Sequence, residues 1–428
     1  MNKQFNLKYL TVLILILTLL LAGCGQETVA SSVSSETSDY QSSIQDTEMP
    51  EDIVLESIDP NAFIIDMNEE GVPVMTGTLL PEVTLNARLY APEDINHPGT
   101  GSVDVASIRA FSPNEVDLLY QDNWEVISDT SDQLIHETGA EYDAVWMECV
   151  NESGEIIKIG NTYRGVSLEN SWRRSPERIP WYSTDYPWQF EDFDFMSAEE
   201  AYALWYEQMA MLGVDLSSIY KVDRVPYAVF DAYYRLNLSY GMEDLLDIEW
   251  SEDNNAYYLS GSQDWNGFSV LSEGVFNFFN GLDFEGDEYR GTLFTDLDVI
   301  VSSQGIQSLN CFYVFEMERE GEEMPLISLW DALETLRVHI LNPVYEGEIL
   351  YNLSLNPNNI VIDQIELCYV PVRQGRLGVA EDSLYEMVPC WSFRLIVTEH
   401  GFEQVYTALV HAITNEYILQ TAWSEGPA

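Results

Sequence analysis

Two helix-start patterns, each followed by strand-like runs, constrain the fold of this 428-residue chain more than any other feature. Ser197 with Glu200, and Ser328 with Asp331, stand at the spacing in which a serine caps a helix and an acid three residues later binds back. Apolar side chains then recur at helical spacing in two stripes: Ala201, Leu204, Trp205, Met209 and Leu212, and Leu329, Ala332, Leu333, Leu336 and Ile340. The sequence therefore predicts two amphipathic helices, ended by Gly213 and by Asn342-Pro343.

Strand signals fill most of the remaining sequence. Residues 83–89 alternate apolar and polar side chains, and residues 142–150 and 155–163 are joined by the turn-like Asn151-Glu152-Ser153-Gly154, which predicts a hairpin. Strand-like runs follow each helix: residues 255–260, then 365–369, 385–397 and 406–413, with a tight turn at Asn415-Glu416. One helix followed by an antiparallel sheet, twice, predicts an α+β fold. We expect a β-rich N-terminal domain over 61–195 and two helix-and-sheet units over 196–290 and 291–428.

The N-terminus indicates export. Residues 1–23 combine Lys3 and Lys8 with an apolar run over 10–21, which is typical of a secretory signal peptide and too short for a comfortable membrane span. Leu21-Ala22-Gly23-Cys24 resembles the lipobox of bacterial lipoproteins, in which the cysteine becomes the lipidated first residue. We therefore predict that Cys24 is lipidated and that its acyl chains anchor the protein in the lipid bilayer. We also predict a flexible acidic, Ser-rich tether over 24–60.

The charge balance limits the partners. The chain has 18 basic and 72 acidic residues and a net charge of −54, so its field repels nucleic acid and anionic headgroups. Acyl chains, and no polybasic patch, must then hold it at the membrane. Solubility at a crowded, ion-rich surface explains this acidity best, with cation binding or a basic partner as alternatives. We predict no cofactor, because no calcium loop, phosphate loop or His-Glu-x-x-His pattern occurs.

Two cysteines and a group of aromatic residues are candidates for a disulfide and for a binding site. Cys368 and Cys390 lie in neighbouring predicted strands, where a cross-strand disulfide would form, although buried free thiols are favoured. Aromatic side chains crowd residues 181–195 beside prolines, and we name four of them as a stacking platform for sugar or peptide: Trp181, Tyr182, Tyr186 and Trp188. Packing over a domain junction is the more frequent role of such a segment.

The second helix-and-sheet unit resembles a PepSY-type module, in the form found in YycH/YycI-type regulators and related Firmicute lipoproteins. The resemblance lies in residues 326–333, 365–369, 387–393 and 411–416, with Cys390 and Asn415 in place of the usual Ala and Gly. It covers the last hundred residues well and residues 196–270 weakly, and it leaves residues 25–195 unmatched. Such domains imply a non-enzymatic role, in which the protein binds and modulates other proteins outside the cell, including proteases and sensor kinases.

The residues themselves reveal no catalytic set. The five histidines are scattered, and neither a Gly-x-Ser-x-Gly elbow nor a Ser-x-x-Lys motif is present. We therefore predict a non-catalytic, membrane-anchored lipoprotein that binds another extracytoplasmic protein, docking through open strand edges. A ligand- or glycan-binding lipoprotein is the first alternative, and an envelope hydrolase using a carboxylate pair is the second.

Overall fold

Strands make up most of the described residues, and alternating apolar and polar side chains explain some of them. In β3, Val83, Leu85 and Ala87 are buried while the residues between them are exposed, as the sequence predicts. The computed structural model describes residues 57–68, 71–120, 124–135, 141–150, 156–162, 165–170, 191–239, 250–271, 289–292, 295–341, 360–375, 384–399 and 402–418. Within these ranges there are twenty-one strands and four α-helices, so the fold is dominated by β-structure.

The elements follow one another along the chain. The first nine strands are β1 (Ile64–Met67), β2 (Pro73–Leu80), β3 (Val83–Tyr90), β4 (Thr100–Gly101), β5 (Asp104–Ile108), β6 (Glu125–Ile135), β7 (Glu141–Val150), β8 (Ile156–Thr162) and β9 (Gly165–Asn170). The next eight are β10 (Leu216–Val225), β11 (Ala256–Trp265), β12 (Phe268–Val270), β13 (Tyr289–Thr292), β14 (Asp296–Ser302), β15 (Gly305–Phe312), β16 (Phe315–Arg319) and β17 (Met324–Pro325). The last four are β18 (Ile360–Gly375), β19 (Tyr385–Glu399), β20 (Phe402–His411) and β21 (Tyr417–Ile418). The helices are α1 (Pro113–Val116), α2 (Ala198–Met211), α3 (Tyr227–Ser239) and α4 (Leu329–Leu341).

Nineteen of these strands belong to one hydrogen-bonded sheet with two regions. The antiparallel region has the order β10-β11-β14-β15-β9-β8-β7-β6. The mixed region has the order β1-β2-β3-β18-β19-β20-β21, and β18 runs parallel to both β3 and β12. Strands β5 and β16 extend the mixed region beside β19, and β13 pairs with the end of β18. β11 connects the regions because its last residues pair with β12.

The predicted α+β fold, with a β-rich N-terminal domain followed by two PepSY-like units, is wrong. The strands do not close into two small antiparallel sheets, each carrying one helix; they form a large mixed sheet shared along the chain. Ile360 of β18 lies beside Val83 of β3 in parallel register, and Leu309 of β15 pairs with Leu168 of β9. Periodicity identifies a strand and its buried face, but the partner is chosen by packing between residues far apart in sequence.

The predicted helix starts are confirmed. Ser197 accepts a hydrogen bond from the backbone N–H of Glu200, and the Glu200 carboxylate binds back to Ser197. Ser328 likewise accepts from the N–H of Asp331 at the start of α4. Helix α3 was not predicted; it begins directly after Pro226, a residue whose fixed φ suits the first turn of a helix.

Each long helix covers one region of the sheet. Helix α4 buries Leu329, Leu333 and Leu336 against β2, β3 and β18–β20 in the mixed region. Helix α2 buries Ala201, Trp205 and Met209 against the antiparallel region, where Tyr257 and Leu309 belong to the same core. The side of α2 that faces away from this core carries the candidate site.

Candidate functional site

A groove along the outer side of α2 is the candidate functional site. It encloses about 340 Å³ and is lined by six residues: Phe195, Met196, Glu200, Ala203, Leu204 and Glu207. Glu200, Ala203 and Glu207 are three and four positions apart, so they lie in one row along the helix. Phe195 and Met196 form the opposite wall from the segment before the helix. The groove thus has apolar walls and a carboxylate toward each end.

The Phe195–Met196 wall is fixed by hydrogen bonds to the sheet. Tyr257 of β11 donates its hydroxyl to the carbonyl oxygen of Met196 at 2.7 Å and accepts from the backbone N–H of Phe193 at 2.9 Å. The rings of Phe193 and Phe195 stack with centroids 5.5 Å apart. Because Tyr257 is fully buried in the core, this wall is positioned by the sheet and does not depend on a bound ligand.

Glu200 is held by the helix cap. One of its carboxylate oxygens, Oε2, accepts from the backbone N–H of Ser197 at 2.8 Å and from the Ser197 hydroxyl at 3.0 Å. These hydrogen bonds, the backbone one first, lower the pKa of Glu200. The carboxylate is therefore ionised at neutral pH and occupies a defined position at one end of the groove.

Ala203 and Leu204 shape the floor between the two acids. Ala203 is exposed, and its methyl group leaves space that a larger side chain would fill. The sequence placed Leu204 in the buried stripe of the helix, but its side chain is 36% exposed and lines the groove. An exposed leucine between two carboxylates gives the groove both an apolar contact and a negative charge.

An aromatic cluster flanks the other side of α2. The rings of Tyr202 and Tyr220 are stacked with centroids 3.9 Å apart, and Tyr206 lies 6.2 Å from Tyr202. Burial, followed by the neighbouring tyrosines, raises the pKa of Tyr202, so the phenol of Tyr202 stays neutral at physiological pH. Tyr206 and Tyr220 remain 50% and 40% exposed, which extends the contact surface of the helix beyond the groove.

Arg224, a cation beside Tyr257, is already paired. Arg224 donates to Asp192 through Nε at 3.0 Å and Nη2 at 2.7 Å, and its guanidinium lies 6.0 Å from the Tyr257 ring centroid. Within the described residues, no ion pair reaches Glu200 or Glu207.

The predicted site residues fall in different places. Cys24 and the platform residues Trp181, Tyr182, Tyr186 and Trp188 lie outside the described residues. Cys368 and Cys390 face each other directly in the register of β18 and β19, and both are buried free thiols in the structure. Burial raises the pKa of both thiols, which keeps them protonated and unreactive in the folded chain. The predicted alternative of a disulfide stays a prediction.

In the described part of the chain, β1 is a strand with exposed apolar side chains, and docking through a strand edge stays a prediction. β1 pairs with β2 on one side, and its residues Ile64, Ile65 and Met67 are 60%, 41% and 70% exposed. An exposed apolar edge can accept the backbone of another chain. β1 is a less well-defined binding surface than the α2 groove, because all four of its residues are exposed.

A buried polar cluster lies on one face of the mixed region. Glu366 of β18 is 7% exposed, accepts a short hydrogen bond from the Ser269 hydroxyl and accepts from Gln364 at 3.1 Å. Burial raises its pKa, and the two hydrogen bonds and the nearby Arg394 oppose that rise. Asp363 is ion-paired with Arg394, whose Nε donates at 2.7 Å. Both acceptor oxygens of Glu366 are bound internally, so the cluster has a structural role.

Two further properties concern the described residues alone. They contain no group of three or more His, Cys, Asp or Glu side chains placed to hold a metal ion. None of the helices described combines the length and the apolarity that a membrane span requires.

Comparison with known proteins identifies a similar fold but does not assign the chain to a family. No known protein family matches the sequence, and no protein of curated function does. An uncharacterized protein from Eubacterium rectale has a similar fold, with a TM-score of 0.54 at 13% identity over 82% of this chain and 95% of that chain. The Bacillus megaterium YpeB C-terminal domain is a weak match, with a TM-score of 0.26 at 8% identity over 73% of this chain and 99% of its own. The first similarity concerns the fold alone, and the second is too weak to support an argument.

Proposed function

We propose that this chain is a lipid-anchored, extracytoplasmic and non-catalytic protein that binds another envelope protein and modulates its activity. The observation that supports the proposal is the open α2 groove, where Leu204 lies between two carboxylates. A catalytic acid pair needs one carboxyl group with a raised pKa to deliver a proton. The groove residue Glu200 instead has a lowered pKa, so it suits binding a cation.

The remaining parts of the proposal come from the sequence. The apolar run ending in Cys24 supplies the anchor, and residues 24–60 supply a tether that lets the folded part reach neighbours at the membrane. The resemblance to YycH/YycI-type regulators suggests a sensor kinase or a protease as the modulated partner. A net charge of −54 favours a partner with a basic face, which electrostatic steering would bring in faster at low salt.

Site-specific photo-crosslinking in the native envelope tests the proposal. A photoreactive phenylalanine analogue at Leu204 should give one discrete adduct with another envelope protein, and mass spectrometry identifies that protein. The matched control position is Val338 on α4, which is similarly exposed at 38% and should give no such adduct.

The second step of the test is functional. The activity of the identified partner should change when the purified full chain is added. Equal labelling from both positions, or an unchanged partner activity, would contradict the proposal. Turnover of a peptide, ester or peptidoglycan substrate by the chain alone, abolished by a single carboxylate change, would favour the hydrolase alternative.

A further inference from the structure

We infer that the α2 groove takes a cationic, amphipathic peptide segment of the partner. In this arrangement a lysine or arginine lies between Glu200 and Glu207, and an adjacent apolar side chain packs against Leu204 and Phe195. This inference rests on the proposed function, because it names the chemistry of the partner at the same groove.

The spacing of the two acids fits one long basic side chain. Glu200 and Glu207 are seven positions apart on α2, or roughly 10 Å along the helix axis at about 1.5 Å per residue. Ala203 leaves the space between them open. A volume of about 340 Å³ is at the lower end for ligand pockets, so it suits one or two side chains of a larger partner.

The charges select the occupant. Glu200 is ionised and fixed by Ser197, and in the described part of the chain neither Glu200 nor Glu207 has an ion-pair partner. A second copy of this chain, nucleic acid or an anionic headgroup would bring negative charge against these acids. A neutral sugar would leave the carboxylates unbalanced. A positively charged segment balances the charge of the two carboxylates, and the open groove leaves room for the backbone of that segment.

The apolar contacts distinguish a peptide from a simple cation. Leu204 and the Phe195–Met196 wall offer hydrophobic contact beside the charges, and an aromatic ring near a cation adds an attraction to the ring face. A polyamine uses the carboxylates alone. A peptide with alternating basic and apolar side chains uses both, so it should bind more tightly than a polyamine of equal charge.

Fluorescence anisotropy on the full chain in neutral detergent micelles provides the test. The probe is a labelled twelve-residue amphipathic helix of lysine and leucine, measured in 150 mM NaCl, where weak non-specific attraction is screened (about 8 Å Debye length). Glu207→Gln should weaken binding by up to about fivefold, the range of an exposed ion pair. Glu199→Gln removes the same charge from the same helix outside the groove and should leave binding unchanged.

A second pair of variants tests the shape of the groove. Ala203→Leu fills the floor and should weaken binding about tenfold or more, while Ala210→Leu adds the same group to an exposed position outside the groove and should have no effect. Circular dichroism confirms that each variant is folded. Equal weakening by Glu199→Gln and Glu207→Gln, an unaffected Ala203→Leu variant, or equally tight spermine binding would overturn the inference.

Failure of this inference is distinguishable from failure of the proposed function. If Leu204 forms its adduct in the envelope but the peptide series fails, the partner binds with another chemistry. If the peptide series succeeds but no envelope adduct forms, the groove binds cationic peptides and the regulatory proposal fails.

Discussion

The indole N–H of Trp391 in β19 donates a hydrogen bond to the carbonyl oxygen of Ile327, 3.1 Å away and two residues before α4. The backbone N–H of Ile327 in turn donates to the carbonyl oxygen of Ala412 at 2.7 Å. The segment before α4 is therefore hydrogen-bonded both to β19 and to Ala412, the residue directly after β20. Trp391 is fully buried, so one side chain couples the helix to the mixed region of the sheet.

Removing this side chain should destabilise the fold strongly. We expect Trp391→Ala to lower the free energy of unfolding by about 3–5 kcal/mol, the cost of deleting a large aromatic side chain from a core. Trp391→Phe keeps most of the volume and loses the hydrogen bond to Ile327, so its loss should be clearly smaller. Chemical denaturation of both variants measures the difference. A loss below about 1 kcal/mol for Trp391→Ala would contradict its place in the core.

Local features of the fold could be predicted from the sequence. The caps at Ser197 and Ser328, the alternation of β3 and the hairpin partners β7 and β8 are all present. A tight turn is present close to the predicted place: it lies over residues 412–415, earlier than the predicted Asn415-Glu416, and Asn415 adopts a φ of 60°, which asparagine tolerates. Each of these depends on residues close together in the sequence.

Long-range pairing could not be predicted in the same way. Val83 and Ile360 meet in parallel register although the whole antiparallel region lies between them in the sequence. Gly165 shows how specific such pairing is, because a Cβ there would lie 2.0 Å from the carbonyl oxygen of Cys311. A glycine is needed at this position because β9 and β15 lie so close together. A single sequence does not reveal that these two strands are neighbours.

The candidate site was only partly visible in the sequence. Glu200 was recognised as a cap, but its second role beside Glu207 depends on the Phe195–Met196 wall, which Tyr257 positions from a distant strand. Leu204 matched the helical period of the core and is nevertheless exposed at the edge of the stripe. Periodicity locates the core side of a helix, whereas a groove requires knowledge of what packs beside it.

Asp104 should be essential for stability. This fully buried carboxylate accepts four hydrogen bonds, from the Ser102 hydroxyl, the Gly321 N–H, the Trp265 indole and the Asn266 amide, at 2.7–3.0 Å. Asp104→Asn turns one acceptor oxygen into a donor that faces other donors, so we expect a loss of about 1–3 kcal/mol. Thermal denaturation measures it, with the exposed Asp66→Asn in β1 as the control. Equal stability of both variants would show that the buried carboxylate is dispensable.

Cys24 should determine membrane attachment. We expect Cys24→Ala to leave the precursor unprocessed or to release the protein from the membrane, because this cysteine is the proposed lipidation site. Membrane fractionation and the intact mass of the processed chain measure this. Cys368→Ala is the matched control and should keep normal processing. Two acyl chains should be needed, since one gives only marginal, reversible binding. Quantitative processing and membrane retention of Cys24→Ala would refute the anchor.

Glu366 should make stability fall as the pH rises. Burial raises the pKa of its folded carboxyl group above the unfolded value of about 4.3, so the folded state holds this proton more tightly than the unfolded state. The stabilising effect of the neutral form is complete below about pH 4.3 and is lost as the pH rises through the raised folded pKa.

Glu366→Gln isolates this effect. The amide keeps the shape of the side chain and carries no charge, so the variant should be more stable than the parent chain at pH 8. The two should converge toward pH 4, where the parent carboxyl group is neutral in the folded state and mostly neutral in the unfolded state. Thermal unfolding from pH 4 to pH 8 measures the difference, and Glu322→Gln, an exposed substitution, is the control. If the parent chain and the Glu366→Gln variant differ by the same amount at every pH, then ionisation of Glu366 does not contribute to the pH dependence of folding.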